Sequence, residues 1–225
     1  MPPITLLYTA ALEGRLALLP TLFTRIRQER AAAAGIVLLA DLGRSCAPGE
    51  WLCDATDGRG MLVAMDAMGY DAFHIGAQDM LYTRPATVQH LREVIQTGIA
   101  AGPWCAVVQR SDMRFAFAAN QSAVRVQPDL AVILRLSDTP VASASWQAGR
   151  RFVFFDPGWT AATPLLGRLD MALTPTPPYI EIVAQTQLEL PPDLLPDPTI
   201  VGVTEFVESE ARYAERKRGP GDPSG

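Results

Sequence analysis

Histidine is nearly missing from this chain: 225 residues hold two, His74 and His90. Cysteine is scarce too, at three, an odd count and too few for a disulfide framework. No apolar run reaches the roughly 18 residues that a membrane-spanning helix needs. With a formal net charge of -5 there is no basic field to draw nucleic acid or an acidic membrane surface, so neither is an expected partner. The opening Met1-Pro2-Pro3 runs straight into an apolar stretch, with no basic segment before it and no small-residue cleavage site after it. A secretory signal is therefore not expected, and the expected location is the cytoplasm. No G-x-S-x-G elbow, H-E-x-x-H helix or P-loop spacing occurs; Gly58-Arg59-Gly60 before a helical stretch reads as a turn.

What is present is an ordinary folded composition, 48% apolar and 19% charged, enough for one sizeable core. Residues 4–7 read as a buried strand. Leu18, Leu19, Leu22, Phe23 and Ile26 then recur at helical spacing over 16–34, and Gly35 stops that helix before a second buried strand at 36–39. Residues 41–58 carry loop residues. A helix over 59–68 leads through Gly69 to a strand at 72–75, and Pro85 opens a further helix reaching to Gly98. Strands are expected at 104–108, 113–118, 123–126, 130–134, 152–155, 165–173 and 179–188. Strand alternating with helix argues for parallel pairing in the first half, and the strand-rich second half for a second, mixed sheet. Four prolines within 190–198 forbid regular structure there, and a helix over 199–218 follows. One domain over 1–218 and a disordered tail over 219–225 are expected.

Several short stretches share an order with one known family. Leu7-Tyr8-Thr9-Ala10-Ala11-Leu12-Glu13-Gly14-Arg15-Leu16 resembles the strand exit H-T-N-D-x-H-G-R-L of 5′-nucleotidase-type enzymes in the calcineurin-like metallophosphoesterase superfamily. Val37 to Ser45 is similar to that family's L-L-D-A-G-D-S, and Ala64 to Ala72 to its M-N-x-L-G-Y-D-A. Ile75 to Met80 stands where it has x-G-N-H-E-F, Gly167-Arg168-Leu169-Asp170 matches a G-R-L-D strand, and Leu195-Pro196-Asp197-Pro198 is similar to its acidic-proline link. The resemblance covers about residues 4–217. It implies two facing mixed β-sheets flanked by helices, a four-layer α/β sandwich with the site at the strand ends.

The resemblance also implies two metal ions about 3.5–4 Å apart, held by Asp, His and an amide. This sequence replaces those ligands. The first D-x-H is Ala11-Leu12-Glu13, the bridging aspartate is Arg44, and the Asn-His pair is Ala77-Gln78. The next ligand stretch, S-H, is Ser137-Asp138, and the last, G-H-x-H, has no counterpart. No metal and no cofactor are expected. Glu13, Asp41, Arg44, Gln78, Asp79 and Asp138 remain as a vestigial site. Arg44 there either replaces the metals, neutralising Glu13 and Asp79 by bidentate contacts, or grips an anion; a rebuilt catalytic site is the third reading.

Cys46 and Cys53 share a loop with Asp41, Asp54 and Asp57; their spacing is unspecific, so they read as two incidental loop thiols, with pairing or metal binding left open. Cys105 and His74 lie in apolar strands and read as core, and His90 as a solvated helix position. Enzymes of this type carry a base-binding domain after the acidic-proline link, about where this chain ends. The expected function is a non-catalytic homologue acting as a binding or regulatory protein, with a small anionic ligand or a protein as partner. The alternative is a divergent phosphoesterase with a rebuilt active site. Because residues after Arg218 are small, polar and proline-rich, they cannot offset the entropy of ordering. Deleting 219–225 should leave the thermal midpoint unchanged; a drop of several degrees would show that the tail docks.

Overall fold

The computed structural model describes residues 2–159 and 165–218; the expected disordered tail lies outside them. The chain begins with β1 (Ile4–Ala10), all seven of whose side chains are buried. It pairs in parallel with β2 (Ile36–Asp41). Between them runs α1 (Leu19–Ala32), which buries Leu19, Leu22 and Ile26 after a 3-10 turn at Leu16–Leu18. α2 (Trp51–Ala55) and α3 (Arg59–Asp66) connect β2 to β3 (Ala72–His74), and α4 (Pro85–Val94) leads to β4 (Gly98–Ala100). A six-stranded sheet is completed on the other side of β1 by β10 (Leu165–Ala172) and β11 (Glu181–Gln187), giving the order β11-β10-β1-β2-β3-β4.

The second sheet has five strands. They are β5 (Cys105–Arg110), β6 (Met113–Ala118), β7 (Leu130–Leu134), β8 (Val141–Gln147) and β9 (Arg150–Asp156), in the order β5-β6-β7-β9-β8. Both sheets are mixed, as expected: β6, β7 and β9 run parallel, while β5 and β8 pair antiparallel at the edges.

Strand periodicity sorts the core into layers. Ile4, Leu6, Tyr8 and Ala10 of β1 face Phe115, Phe117, Val132 and Phe155 of the second sheet. Leu7, with Leu39 and Phe73, faces the helices. Tyr8 and Phe155 meet edge to face with centroids 4.8 Å apart, and each such ring contributes about 1.5–3 kcal/mol by leaving water. Gly167, opposite Tyr8 in β10, makes room for that ring: a Cβ there would lie 2.2 Å from the Tyr8 Cζ. The last helix, α5 (Pro198–Arg218), lies across α1, α2 and α3. Asp197 caps it, accepting from the Thr199 amide at 2.9 Å, and pairs with Arg27 of α1 at 2.8 Å.

Three expectations are corrected, and one strand was not foreseen. Residues 41–58 are not all loop: α2 lies among them, too short for helical periodicity to register and held by burial of Leu52, Cys53 and Ala55. Residues 123–126 are not a strand. Because β6 and β7 are parallel, the link between them must cross over, and it does so through a 3-10 turn at Gln121–Ala123 capped by the Asn120 side chain. The helix expected to reach Gly98 ends at Val94, which frees β4 to pair with β3. Strand β8 had no strong pattern; a two-residue turn, Ala148-Gly149 with φ of 49° and 77°, folds it onto β9.

The two incidental loop thiols are also a correction: Cys46 and Cys53 form a disulfide, Cα atoms 5.5 Å apart, both fully buried. Cys105 is the free cysteine. The disulfide joins the loop after β2 to α2 and closes a short loop, a constraint on the unfolded chain amounting to about 2–3 kcal/mol. Thiol titration of the denatured, unreduced protein should find one reactive group, and three after reduction. Cys46→Ser with Cys53→Ser should lower unfolding free energy by about 2–3 kcal/mol in urea titrations.

Candidate functional site

The parallel strands end together, and the loops leaving them form one cluster. After β1 the backbone turns through left-handed residues at Ala11 (φ 56°), Glu13 (φ 52°) and Gly14 (φ 82°); after β2, Arg44 is left-handed too (φ 56°). Such conformations cost a non-glycine residue of order 1 kcal/mol or more each, so the surroundings must impose them. Here the two loops are laced together: amides of Ala11, Glu13 and Gly14 donate to carbonyls of Gly43, Arg44 and Ser45 at 3.0, 2.9 and 2.8 Å. The disulfide backs this lacing, since a Cβ on Gly14 would sit 2.9 Å from the Cys53 Sγ.

The lacing brings Glu13 and Arg44 face to face. Nε of Arg44 donates to Glu13 Oε1 at 3.0 Å, and Nη2 donates to the same oxygen. Arg15 reaches the other carboxylate oxygen at 3.3 Å. The Glu13 side chain is 8% exposed and that of Arg44 26%. Over the guanidinium lies the Trp159 ring, 4.4 Å from Cζ to centroid. Arg44 is thus sandwiched between a carboxylate and an aromatic face, an arrangement suited to its planar charge.

Asp79 is not part of that ion pair, contrary to the expected double neutralisation. Its carboxylate accepts from the Leu81 amide at 2.9 Å and is stabilised by the amides of Ser45 and Arg44. Burial pushes its pKa up to about 6, against those amides and the Arg44 charge. Asp41 is fully buried and takes three donors: Thr9 Oγ1 at 2.7 Å, Ser45 Oγ at 2.8 Å and the Gly43 amide at 2.9 Å. Tyr70 extends the chain, its hydroxyl 3.0 Å from Thr9 Oγ1. Burial still carries the Asp41 carboxyl up to about 7. Gln78 is exposed on the cleft wall. Asp138 stands apart, exposed and bonded to Thr139, because its loop turns outward. The buried acid at this end is Asp156, which accepts from Ser137 Oγ at 2.7 Å and the Gly158 amide at 3.0 Å.

A cleft of about 380 Å³ opens beside this cluster, lined by Arg44, His74, Gln78, Asp79, Asn120, Arg135 and Ser137 among others. His74 is buried, as expected, yet it also lines this cleft. A carbonyl only accepts, so the 2.8 Å contact to Leu42 oxygen places the imidazole proton on Nδ1 and leaves Nε2 an acceptor. Burial lowers its pKa, opposed by the Leu42 carbonyl and the Asp156 charge. Arg135 is exposed, and among the described residues its guanidinium has no ion-pair partner. Trp159, Arg135, Asn120 and Asp156 were not read from the sequence; the available signal was their position at or just past strand ends.

The metal pair implied by resemblance does not fit this donor set. Arg44, a fixed cation, lies on Glu13, and methyl groups stand at Ala11 and Ala77. Among the described residues no group of three or more His, Cys, Asp or Glu side chains could hold a metal ion.

No family model matches the chain, and no curated protein matches its sequence. Solved structures do. Sulfate thiohydrolase SoxB of Thermus thermophilus superposes with a TM-score of 0.57 at 12% identity, over 95% of this chain and 60% of that one. Calcineurin-like phosphoesterase YfkN of Bacillus subtilis superposes at 0.58 and 9% identity, over 95% and 99%. A 5′-nucleotidase precursor, also of Thermus thermophilus, does so at 0.58 and 12%, over 96% and 59%. The fold is that of the calcineurin-like phosphoesterases, and this chain spans about three fifths of the first and third of these proteins.

The buried carboxyls set a pH dependence of unusual sign. The unfolded chain releases the Asp41 proton near 3.8 and the folded chain near 7, so between those values the folded state holds more protons. Stability contributed by this group therefore falls as pH rises from about 4 to 7. Asp41→Asn keeps the shape and removes the titration, and Thr9 can turn its hydroxyl toward Tyr70. In urea titrations the variant should lose the decline between about pH 6 and 7.5, retaining the part below about pH 6 that belongs to Asp79.

Proposed function

We propose that this protein is a non-catalytic relative by fold of the calcineurin-like phosphoesterases, acting as a binding or regulatory protein for a small anion. The observation that carries this reading is Arg44, held on Glu13 and beneath Trp159 where the resemblance implies metal ions. A guanidinium so placed neutralises the loop cluster permanently, but it offers no exchangeable coordination position and activates no water. Arg44 is a structural cation. The group placed to meet a ligand is Arg135, which brings to the cleft a positive charge with no ion-pair partner among the described residues, with the amides of Gln78 and Asn120 beside it. A phosphate- or carboxylate-bearing molecule of modest size matches that lining.

A second reading, a divergent phosphoesterase with a rebuilt site, draws on a different observation: the neutral His74 imidazole and the raised Asp79 carboxyl line the same cleft. Groups so perturbed are suited to proton transfer. As to location, no helix among the described residues is long and apolar enough to cross a membrane. The Cys46–Cys53 disulfide favours an oxidising compartment over the cytoplasm.

The two arginines separate structure from binding. Arg44→Ala leaves Glu13 buried with Arg15 alone and should cost about 2–3 kcal/mol, less than for a wholly buried pair. Arg135→Ala should leave the melting temperature unchanged and abolish any shift produced by phosphate, citrate or a nucleoside monophosphate. Titration calorimetry with the same anions gives the independent check; anion binding unaltered in Arg135→Ala would sink this assignment. Hydrolysis of bis(p-nitrophenyl) phosphate by wild-type protein, lost in His74→Ala, would establish the second reading instead.

A further inference from the structure

Each sheet of this sandwich has two open edges, and three of the four carry a device that blocks pairing with another chain. β4 is only three residues long. β5 lies alongside β4 and ends at Arg110, whose guanidinium pairs with Asp71. β11 opens with Glu181, and its pairing with β10 shifts register at Asp170/Met171, as a bulge does.

The fourth edge, β8, has no such device among the described residues. It pairs with β9 in unbroken register from Val141 opposite Asp156 to Gln147 opposite Arg150. Among the described residues no strand hydrogen-bonds to its other side, although β11 of the first sheet passes close to it. No charged residue occurs between Asp138 and Arg150, in a chain that is 19% charged. Pro140 stands before the strand and not within it. Val141 and Trp146 are 39% and 40% exposed, with Trp146 braced against Tyr179 at 4.6 Å between centroids.

The sequence of this edge is compatible with itself. Antiparallel pairing about a two-fold axis at Ala144 sets Ser143 opposite Ser145 of the other copy, so that their hydroxyls meet on the outer face. It sets Ala142 opposite Trp146 on the inner face, small against large, and Val141 opposite Gln147. No like charges face each other, and cross-strand pairs of these kinds are the unit that stabilises a sheet. We propose that β8 is the contact through which two copies of this chain associate, merging their second sheets into one continuous sheet. Each chain offers one unguarded edge, so the assembly closes at two copies. This inference is independent of the anion cleft.

Sedimentation velocity or light scattering of the full chain should give the mass of two chains at high concentration and of one on dilution. Amide exchange over 141–147 should slow as the dimer fills. Ser143→Lys with Ser145→Lys places lysines opposite one another across the axis and should yield a single-chain mass with the melting temperature preserved. A wild type with single-chain mass up to its solubility limit would overturn the proposal. So would a folded lysine variant that still dimerises, or a species larger than two chains. Should the double variant fail to fold, Ser143→Glu and the exchange of 141–147 in the wild type decide in its place.

Discussion

Burial of β1 on both faces and both edges is the constraint from which the rest of the molecule follows. A strand with parallel β2 on one side, antiparallel β10 on the other, and apolar layers above and below can present polar groups only beyond its ends. Its neighbours β2 and β3 run the same way, so their exits gather at one end of the sheet, the general situation in which open α/β folds place their ligand sites. The lacing of loops 11–14 and 43–45 prolongs the β1–β2 pairing past the regular strands. The left-handed residues Ala11, Glu13 and Arg44 are the conformational consequence of that prolongation.

Given such a cluster of loop carboxylates, some positive charge has to be near them. In this chain the Arg44 guanidinium supplies it, tethered covalently and held on Glu13. The consequence is a division of labour among acids. Glu13 is ion-paired, whereas Asp41 and Asp79 rely on hydroxyl and amide donors, and burial raises their pKa values because those donors only partly replace water. Asp41 is the more deeply enclosed of the two, which accounts for its larger rise. The disulfide behind Gly14 and the Trp159 ring over Arg44 hold the same arrangement from two sides.

Away from this end of the molecule, the two sheets differ in how their margins are treated. The first sheet is covered by helices on one face and by the second sheet on the other. β8, at the margin of the second sheet, is instead smooth and uncharged, with no strand hydrogen-bonded to its outer side among the described residues. Sheet margins are costly to leave in this state, since their main-chain groups recruit any available strand. A margin left long and uncharged, where the others are short, charged or bulged, is the basis of the proposed pairing.

Much of the architecture could be read from residue order alone, because apolar runs and helical spacing are local properties. Strands β1, β2, β6 and β7, helices α1, α3 and α5, and the mixed character of the second sheet were legible this way. So was the meeting of Glu13 with Arg44, from motif order. Elements of three to five residues, β4 and α2, left no periodic trace, and β8 depended on a partner strand to become one. The pairing of Cys46 with Cys53 required that α2 turn Cys53 back toward the loop, a matter of three-dimensional path. Likewise only the tertiary structure could turn Asp138 outward, put Asp156 in its place, lay Trp159 over Arg44 and leave Arg135 in the cleft with no ion-pair partner among the described residues. Those outcomes depend on which loops end side by side, and sequence separation carries no information about that distance.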